Sequence, residues 1–139
     1  MEFITKNAEE TKELGKKLAI DLIEKGKPLI IALTGELGSG KTTFVQGFAQ
    51  SIGVTKGIIS PTFILLRKYG NNFYHLDLYR LEENVEREVK NLGIEEIWKN
   101  PERIVVIEWA EKIKNLLPKE TRWIKFETLE DNIRRIKLL

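Results

Sequence analysis

Residues 29–44, LIIALTGELGSGKTTF, hold the chain to a narrow set of folds. An apolar run of strand length enters a glycine-rich loop, and a lysine and two threonines open the segment after it. The run 28–33, PLIIAL, has the unbroken apolarity of a strand covered on both faces. Residues 41–52 read as a helix that ends near Gly53. Between them, Gly35, Glu36, Leu37, Gly38, Ser39, Gly40, Lys41 and Thr42 fit the phosphate-binding pattern G-x-x-x-x-G-K-[ST]. The glycines let backbone N–H groups turn inward around phosphate oxygens with no Cβ in the way. Lys41 is spaced to reach the β- and γ-phosphates, and the Thr42 hydroxyl to reach Mg²⁺. The helix that opens with Lys41, Thr42 and Thr43 adds its positive dipole end. At average glycine usage, chance produces this pattern in roughly one chain in a few hundred. A strand before it and a helix after it make the functional reading the stronger one: an α/β nucleotide-binding fold.

The remainder of the chain bounds that reading. At 139 residues and 16.1 kDa, one domain spanning 1–139 is expected. Cysteine is absent, which excludes disulfides and thiolate metal sites. A net charge of +2 gives no basic field, so nothing in the composition demands nucleic acid. The start, MEFITKNAEE, lacks the basic and apolar regions of a signal peptide. Apolar runs reach only about six residues, far short of a membrane span. No membrane association and a cytoplasmic location are the expectations.

Residues 2–5 suit a short edge strand. Residues 7–26 suit a helix with Asn7 as N-cap, Glu10 completing a capping box, and Leu14, Leu18, Leu22 and Ile23 on one apolar face. Two runs, 63–69 and 73–79, flank the turn signal GNN and predict a β-hairpin. Short helices are expected over 82–93 and 94–98, a buried strand over 103–109, and a helix over 110–117 stopped by Pro118. Residues 122–128 and 132–139 alternate, as a closing antiparallel pair would. The sum is a mixed sheet with parallel core strands, antiparallel flanks and helices on both faces.

Two acids are candidates for the metal and the water. The apolar run IVVI ends in Glu108, where a phosphate loop needs a carboxylate near Mg²⁺. An ordinary strand-end acid is the plain alternative. Along FYHLDLY, alternation puts Phe73, His75, Asp77 and Tyr79 on one face and Tyr74, Leu76 and Leu78 on the other. The second set belongs to the core, which leaves Asp77 to line a nucleotide cleft or to sit on a solvated face. In the cleft, Asp77 binds Mg²⁺ through water or orients the attacking water. His75 reads as structural rather than catalytic. In the loop SPTF, 60–63, Pro61 holds Ser60 extended and Thr62 offers a hydroxyl that could sense a γ-phosphate.

Taken in order, EETKELGKKLA, LTGELGSGKTTFVQGFAQSIGV, SPTF, YHLDLYRL, LGIEEIW and IEWAEKI resemble the TsaE (YjeE) family. This is the small P-loop ATPase of bacterial tRNA threonylcarbamoyladenosine biosynthesis. The resemblance runs from about residue 8 to residue 111. It implies a P-loop NTPase with a mixed sheet and slow ATP hydrolysis with Mg²⁺. It also implies a partner: a two-protein complex of actin-like ATPase fold that transfers threonylcarbamoyl to adenosine 37 of tRNA. The ATPase docks on that complex and resets it. By the same resemblance Lys41 and Thr42 take phosphate and metal roles and Glu108 a metal role, while Thr11, Trp109 and Glu111 lie at nucleotide-contacting positions. Ala110 departs from the proline that many members carry there. ATP rather than GTP also follows from the resemblance, in keeping with the lack of an N-K-x-D motif. Two other readings stay open: a nucleotide-dependent scaffold with negligible hydrolysis, and a small-molecule kinase.

Overall fold

The structure is a computed structural model that describes residues 1–26, 29–54 and 65–139. Among these residues seven strands form one sheet: β1 (Glu2–Thr5), β2 (Leu29–Gly35), β3 (Leu66–Tyr69), β4 (Phe73–Asp77), β5 (Ile104–Glu108), β6 (Arg122–Glu130) and β7 (Ile133–Leu138). Their spatial order is β1-β7-β6-β2-β5-β4-β3. The β6-β2-β5-β4 core is parallel, and the β1–β7, β6–β7 and β3–β4 pairs are antiparallel. This is the mixed sheet expected, including the edge strand at residues 2–5. The described part of the expected hairpin forms around Gly70, Asn71 and Asn72; residues 63 and 64 lie outside the described residues.

Among the described residues four helices cover the sheet: α1 (Ala8–Glu24), α2 (Lys41–Ser51), α3 (Val85–Asn91) and α4 (Ile94–Lys99). Strand alternation sorts the core into two layers. Ile31, Leu33, Phe73, Val106, Ile124 and Phe126 pack under Leu14, Leu18 and Leu22 of α1 and Phe44 and Phe48 of α2. Ile30, Ala32, Tyr74, Leu76, Val105 and Ile107 meet Val89 of α3 and Ile94 and Trp98 of α4. Both faces of β4 are therefore buried. The face carrying His75 and Asp77 is not solvated, because the α1–α2 layer extends over it.

Asn7 caps α1 as expected, its Oδ1 accepting from the Glu10 N–H at 2.9 Å. Glu10 reaches one residue further back than a capping box requires and accepts from the Lys6 N–H at 2.8 Å. The expected helix over 110–117 shrinks to one 3₁₀ turn, Ala110–Ile113. Trp109 enters it at φ 62°, and the side chains of Ala110 and Ile113 are already fully buried by that turn. Lys112 anchors it from outside, donating to the carbonyls of Leu78, Tyr79 and Leu81 at 3.1, 3.0 and 2.7 Å. Burial of Ala110 and Ile113 and the three bonds of Lys112 hold this turn in place, and Pro118 disfavours helix at the residue before it.

The seating of α1 against α2 rests on two glycines that periodicity does not single out. A Cβ on Gly47 would lie 1.9 Å from the Lys12 carbonyl oxygen, and one on Gly15 2.3 Å from that of Phe44. The Ser51 hydroxyl bridges the same crossing, donating to the Lys16 carbonyl at 2.9 Å. Because α2 starts at the phosphate loop, this crossing also holds the loop's far side. Gly47→Ala should destabilise the fold by on the order of 2–3 kcal/mol, as an overpacked backbone contact does. Urea denaturation measures it, and a loss below about 0.5 kcal/mol, the level of a neutral surface change, would show that the helices can part freely.

Candidate functional site

The loop between β2 and α2 forms because its glycines take backbone angles that other residues avoid: Gly38 has φ 78° and Gly40 φ 100°. The loop curls around Lys41. The Lys41 Nζ donates to the carbonyl of Gly35 and, at 3.0 Å, to that of Glu36. It also sits 4.0 Å from the centre of the Trp109 ring. Burial pushes the Lys41 ammonium below the ordinary lysine range, opposed by the charges of Glu108, Glu111, Asp77 and Glu36.

The acids arrive by register. β2 and β5 pair in parallel with Leu33 opposite Glu108, and β4 and β5 with Asp77 opposite Glu108. Both carboxylates thus end neighbouring strands at the edge where the phosphate loop begins. The Thr42 hydroxyl is 3.0 and 3.2 Å from the two Glu108 carboxylate oxygens and donates there. His75 Nε2 is 2.7 Å from Glu108 Oε2. Asp77 Oδ1 accepts from the Tyr79 N–H at 3.0 Å, so this acid also shapes the turn that follows β4.

A cavity of about 250 Å³ opens over these groups. Its walls include Gly38, Ser39, Gly40, Lys41, Thr42 and Thr43 from the loop, and Asp77, Glu108 and Trp109 from the strand ends. The residues suit a phosphate. The Ser39 hydroxyl oxygen is buried in the loop with no hydrogen-bond partner among the described residues, and such atoms are nearly always paired. They also suit Mg²⁺, which favours hard oxygen donors. Among the described residues no group of three or more His, Cys, Asp or Glu is placed to hold a metal alone. A metal here would need phosphate oxygens and water to complete its shell, the usual arrangement for Mg²⁺ with nucleotides.

The family model for "Threonylcarbamoyl adenosine biosynthesis protein TsaE" matches residues 5–136. The chain belongs to the TsaE family. The Bacillus subtilis protein named tRNA threonylcarbamoyladenosine biosynthesis protein TsaE is 36% identical, with 95% of this chain and 80% of that protein covered. The Rickettsia felis protein of the same name is 41% identical over 98% of this chain and 78% of that one. The Treponema pallidum protein is 34% identical over 98% of each. The crystal structure of Bacillus subtilis YdiB superposes with a TM-score of 0.75 at 31% identity, covering 99% of this chain and 83% of that one. The fold is that of a P-loop NTPase.

The site positions expected from the sequence do not all share the cavity. Thr11 lines it, but its hydroxyl is already engaged, 2.7 Å from the Thr5 hydroxyl and 3.3 Å from the Asn7 carbonyl. Leu37 lines it with an exposed side chain. Gly35 and Glu36 face Lys41 with their carbonyls rather than lining the cavity. Glu111 is exposed and outside the lining, and acts on Lys41 through charge. Thr62, with the rest of SPTF, lies outside the described residues. Sequence reasoning missed Arg134, whose guanidinium donates to the Gly38 carbonyl at 3.0 Å and which lines the cavity with Asn132. It read Asn7 only as a cap, and it missed the hydrogen bond from His75 to Glu108. The alternation that put His75 and Asp77 on one face was the available signal for the last of these.

Lys41→Met should separate the loop's stability from its ligand. Below its lowered folded-state pKa, Lys41 carries a buried charge that opposes folding. That opposition fades as the pH rises from the folded-state value toward the ordinary lysine value. The nucleotide-free variant is relieved of that burial penalty but leaves the Gly35 and Glu36 carbonyls without their donor, so its stability relative to the parent should fall as the pH rises toward the ordinary lysine value. Its stabilisation by added ATP should vanish. Thermal melts with and without nucleotide read both effects, and a retained ATP shift would exclude Lys41 from the site.

Proposed function

We propose that this chain is a Mg²⁺-dependent ATP-binding protein that hydrolyses ATP slowly and serves tRNA threonylcarbamoyladenosine biosynthesis. In this reading it docks on the two-protein complex of actin-like ATPase fold that transfers threonylcarbamoyl to adenosine 37, and resets it between turnovers. The hydrogen bond from Thr42 to Glu108 at the mouth of the phosphate loop carries the biochemical half of the reading. It joins the hydroxyl and carboxylate that a phosphate-loop enzyme needs at its metal. The pathway half is supported by family membership and by the relatives' names.

The roles follow from placement. Lys41 exchanges its loop carbonyls for β- and γ-phosphate oxygens. Backbone N–H groups of Gly38 to Thr43 and the Ser39 hydroxyl hold the remaining phosphate oxygens. Thr42 and Glu108 hold Mg²⁺, with Asp77 reaching it through water or orienting the attacking water. Mg²⁺ held there would supply positive charge against the charge that develops during transfer. Trp109, beside Lys41, flanks the bound nucleotide.

The shape of the described site supports slow hydrolysis. The cavity among the described residues is about 250 Å³, at the small end for a ligand pocket, which supports a nucleotide only partly enclosed by this chain. Phosphoryl transfer depends on positioning and on excluding water, and a docked partner supplies both. The Trp109 turn lies at this contact in the proposal. Net charge of +2 favours a protein surface over direct grip on tRNA. No helix among the described residues is long and apolar enough to cross a membrane, and the proposed setting is the cytoplasm.

Two measurements test the reading. Glu108→Gln should raise the Mg²⁺ concentration for half-maximal ATPase by about tenfold, while Asp77→Asn should lower turnover more than ATP affinity. Unchanged turnover in both variants would remove the acids from the site. Calorimetric titration into the two-protein complex should give tighter docking with a non-hydrolysable ATP analogue than with ADP. Equal affinities exclude a nucleotide switch, and no binding in either state removes the pathway role. Absence of phosphate release with and without the complex would leave a nucleotide-dependent scaffold.

A further inference from the structure

We propose that His75 is a positioning residue for Glu108: its Nε2–H clamps one carboxylate oxygen so that the carboxylate presents a fixed face to Thr42 and the metal. The inference rests on the reading of Glu108 as the metal-site acid and assigns the group that makes a glutamate work there. The acid at this place in phosphate-loop proteins is usually aspartate. Glutamate adds a methylene and one more freely rotating bond, and an unrestrained carboxylate at a strand end would sample several rotamers.

The restraint comes from the neighbouring strand. His75 lies on β4 opposite Val106, on the same face of the sheet as Glu108. Its side chain is fully buried, and Nε2 is 2.7 Å from Glu108 Oε2. A proton must lie between them. With the proton on Nδ1 instead, the Nε2 lone pair would face a carboxylate oxygen. His75 Nδ1 is buried with no partner among the described residues. Nδ1 without a proton is an unfilled acceptor, less costly than a buried unpaired N–H. Both ends of the ring therefore favour the Nε2–H tautomer, and the contact with Glu108 is the ring's polar anchor among the described residues. Thr42 holds the same carboxylate from α2. Glu108 is thus gripped from a strand on one side and from the phosphate-loop helix on the other. Hydrogen bonds of this kind behind a metal ligand fix its orientation, and their loss typically weakens metal affinity or activity about 10–100-fold.

The test compares His75→Gln with His75→Asn. The glutamine amide extends to the position of Nε2 and can donate to Glu108; the asparagine amide stops short. Both are buried polar replacements of similar kind, so a residue that merely fills the core would not tell them apart. We expect Asn to raise the Mg²⁺ half-saturation of ATPase about tenfold, with turnover at saturating Mg²⁺ near the parent value, and Gln to stay within about threefold. Calorimetric Mg²⁺ titration of protein loaded with a non-hydrolysable ATP analogue should show the same ordering without turnover. Nucleotide binding in EDTA should match the parent in both variants. Combined with Glu108→Ala, the Asn change should add less than about twofold, because the group it positions is gone. Equal behaviour of Gln and Asn, full independence of the two sites in the double variant, or failure of both single variants to fold would overturn the proposal. If the parent protein itself shows no Mg²⁺ dependence, the underlying metal-site reading fails, and the positioning role falls with it.

Discussion

β2 and β5 run parallel with Leu33 opposite Glu108, and the rest of the site follows from that register. The strand that feeds the phosphate loop and the strand that ends in the acid finish at one edge of the sheet. A side chain alternates faces at each residue, so a slip of one position would turn Glu108 toward the α3–α4 layer. Apolar burial on both faces sets the register. Ile31 and Val106 pack under α1 and α2, while Ile30, Ala32, Val105 and Ile107 pack on the opposite side. Neither strand can shift without moving its apolar side chains out of fitted surroundings.

The phosphate loop is then held from several directions. Its end runs into α2, which the glycine-lined crossing seats on α1. Its carbonyls are occupied by cations: Gly35 and Glu36 by Lys41, and Gly38 by Arg134. A loop of turned-in N–H groups needs its carbonyls turned out, and those carbonyls need donors. Lys41 and Arg134 supply them while adding positive charge where phosphate would bind. Lys41 is consequently engaged on three sides, by two carbonyls and by the Trp109 ring, and in the proposed reading phosphate oxygens would take the place of the carbonyls.

Trp109 and Lys112 tie the acid edge to the loop after β4. Trp109 takes a left-handed backbone angle that few side chains tolerate and leaves β5 directly after Glu108. The Tyr79 ring lies 5.4 Å from that of Trp109, and Lys112 binds three carbonyls of the 78–81 turn. The segment after β4 and the segment after β5 are therefore one assembly, with Asp77 and Glu108 at its base. A partner that pressed on this surface would act on both acids at once.

Much of this was legible in the amino-acid order. The phosphate loop, the apolar strand ending in Glu108, the antiparallel flanks and the pairing of His75 with Asp77 on one face all follow from backbone preference and side-chain period, which are local. The family followed from the same motifs in sequence. Other features are products of contact between distant positions. The cover over the second face of β4, the grip of His75 on Glu108, the reach of Arg134 to Gly38 and the close approach at Gly15 and Gly47 all depend on which strand lies beside which and on how two helices cross. The 3₁₀ turn at Ala110–Ile113 belongs with them: its residues carry a helical pattern, but burial and the carbonyls around Lys112 fix a shorter turn. Periodicity records what one element prefers alone. Only the packed sheet decides which of its polar side chains meet, because those meetings are set by register and by the free energy of burying both faces.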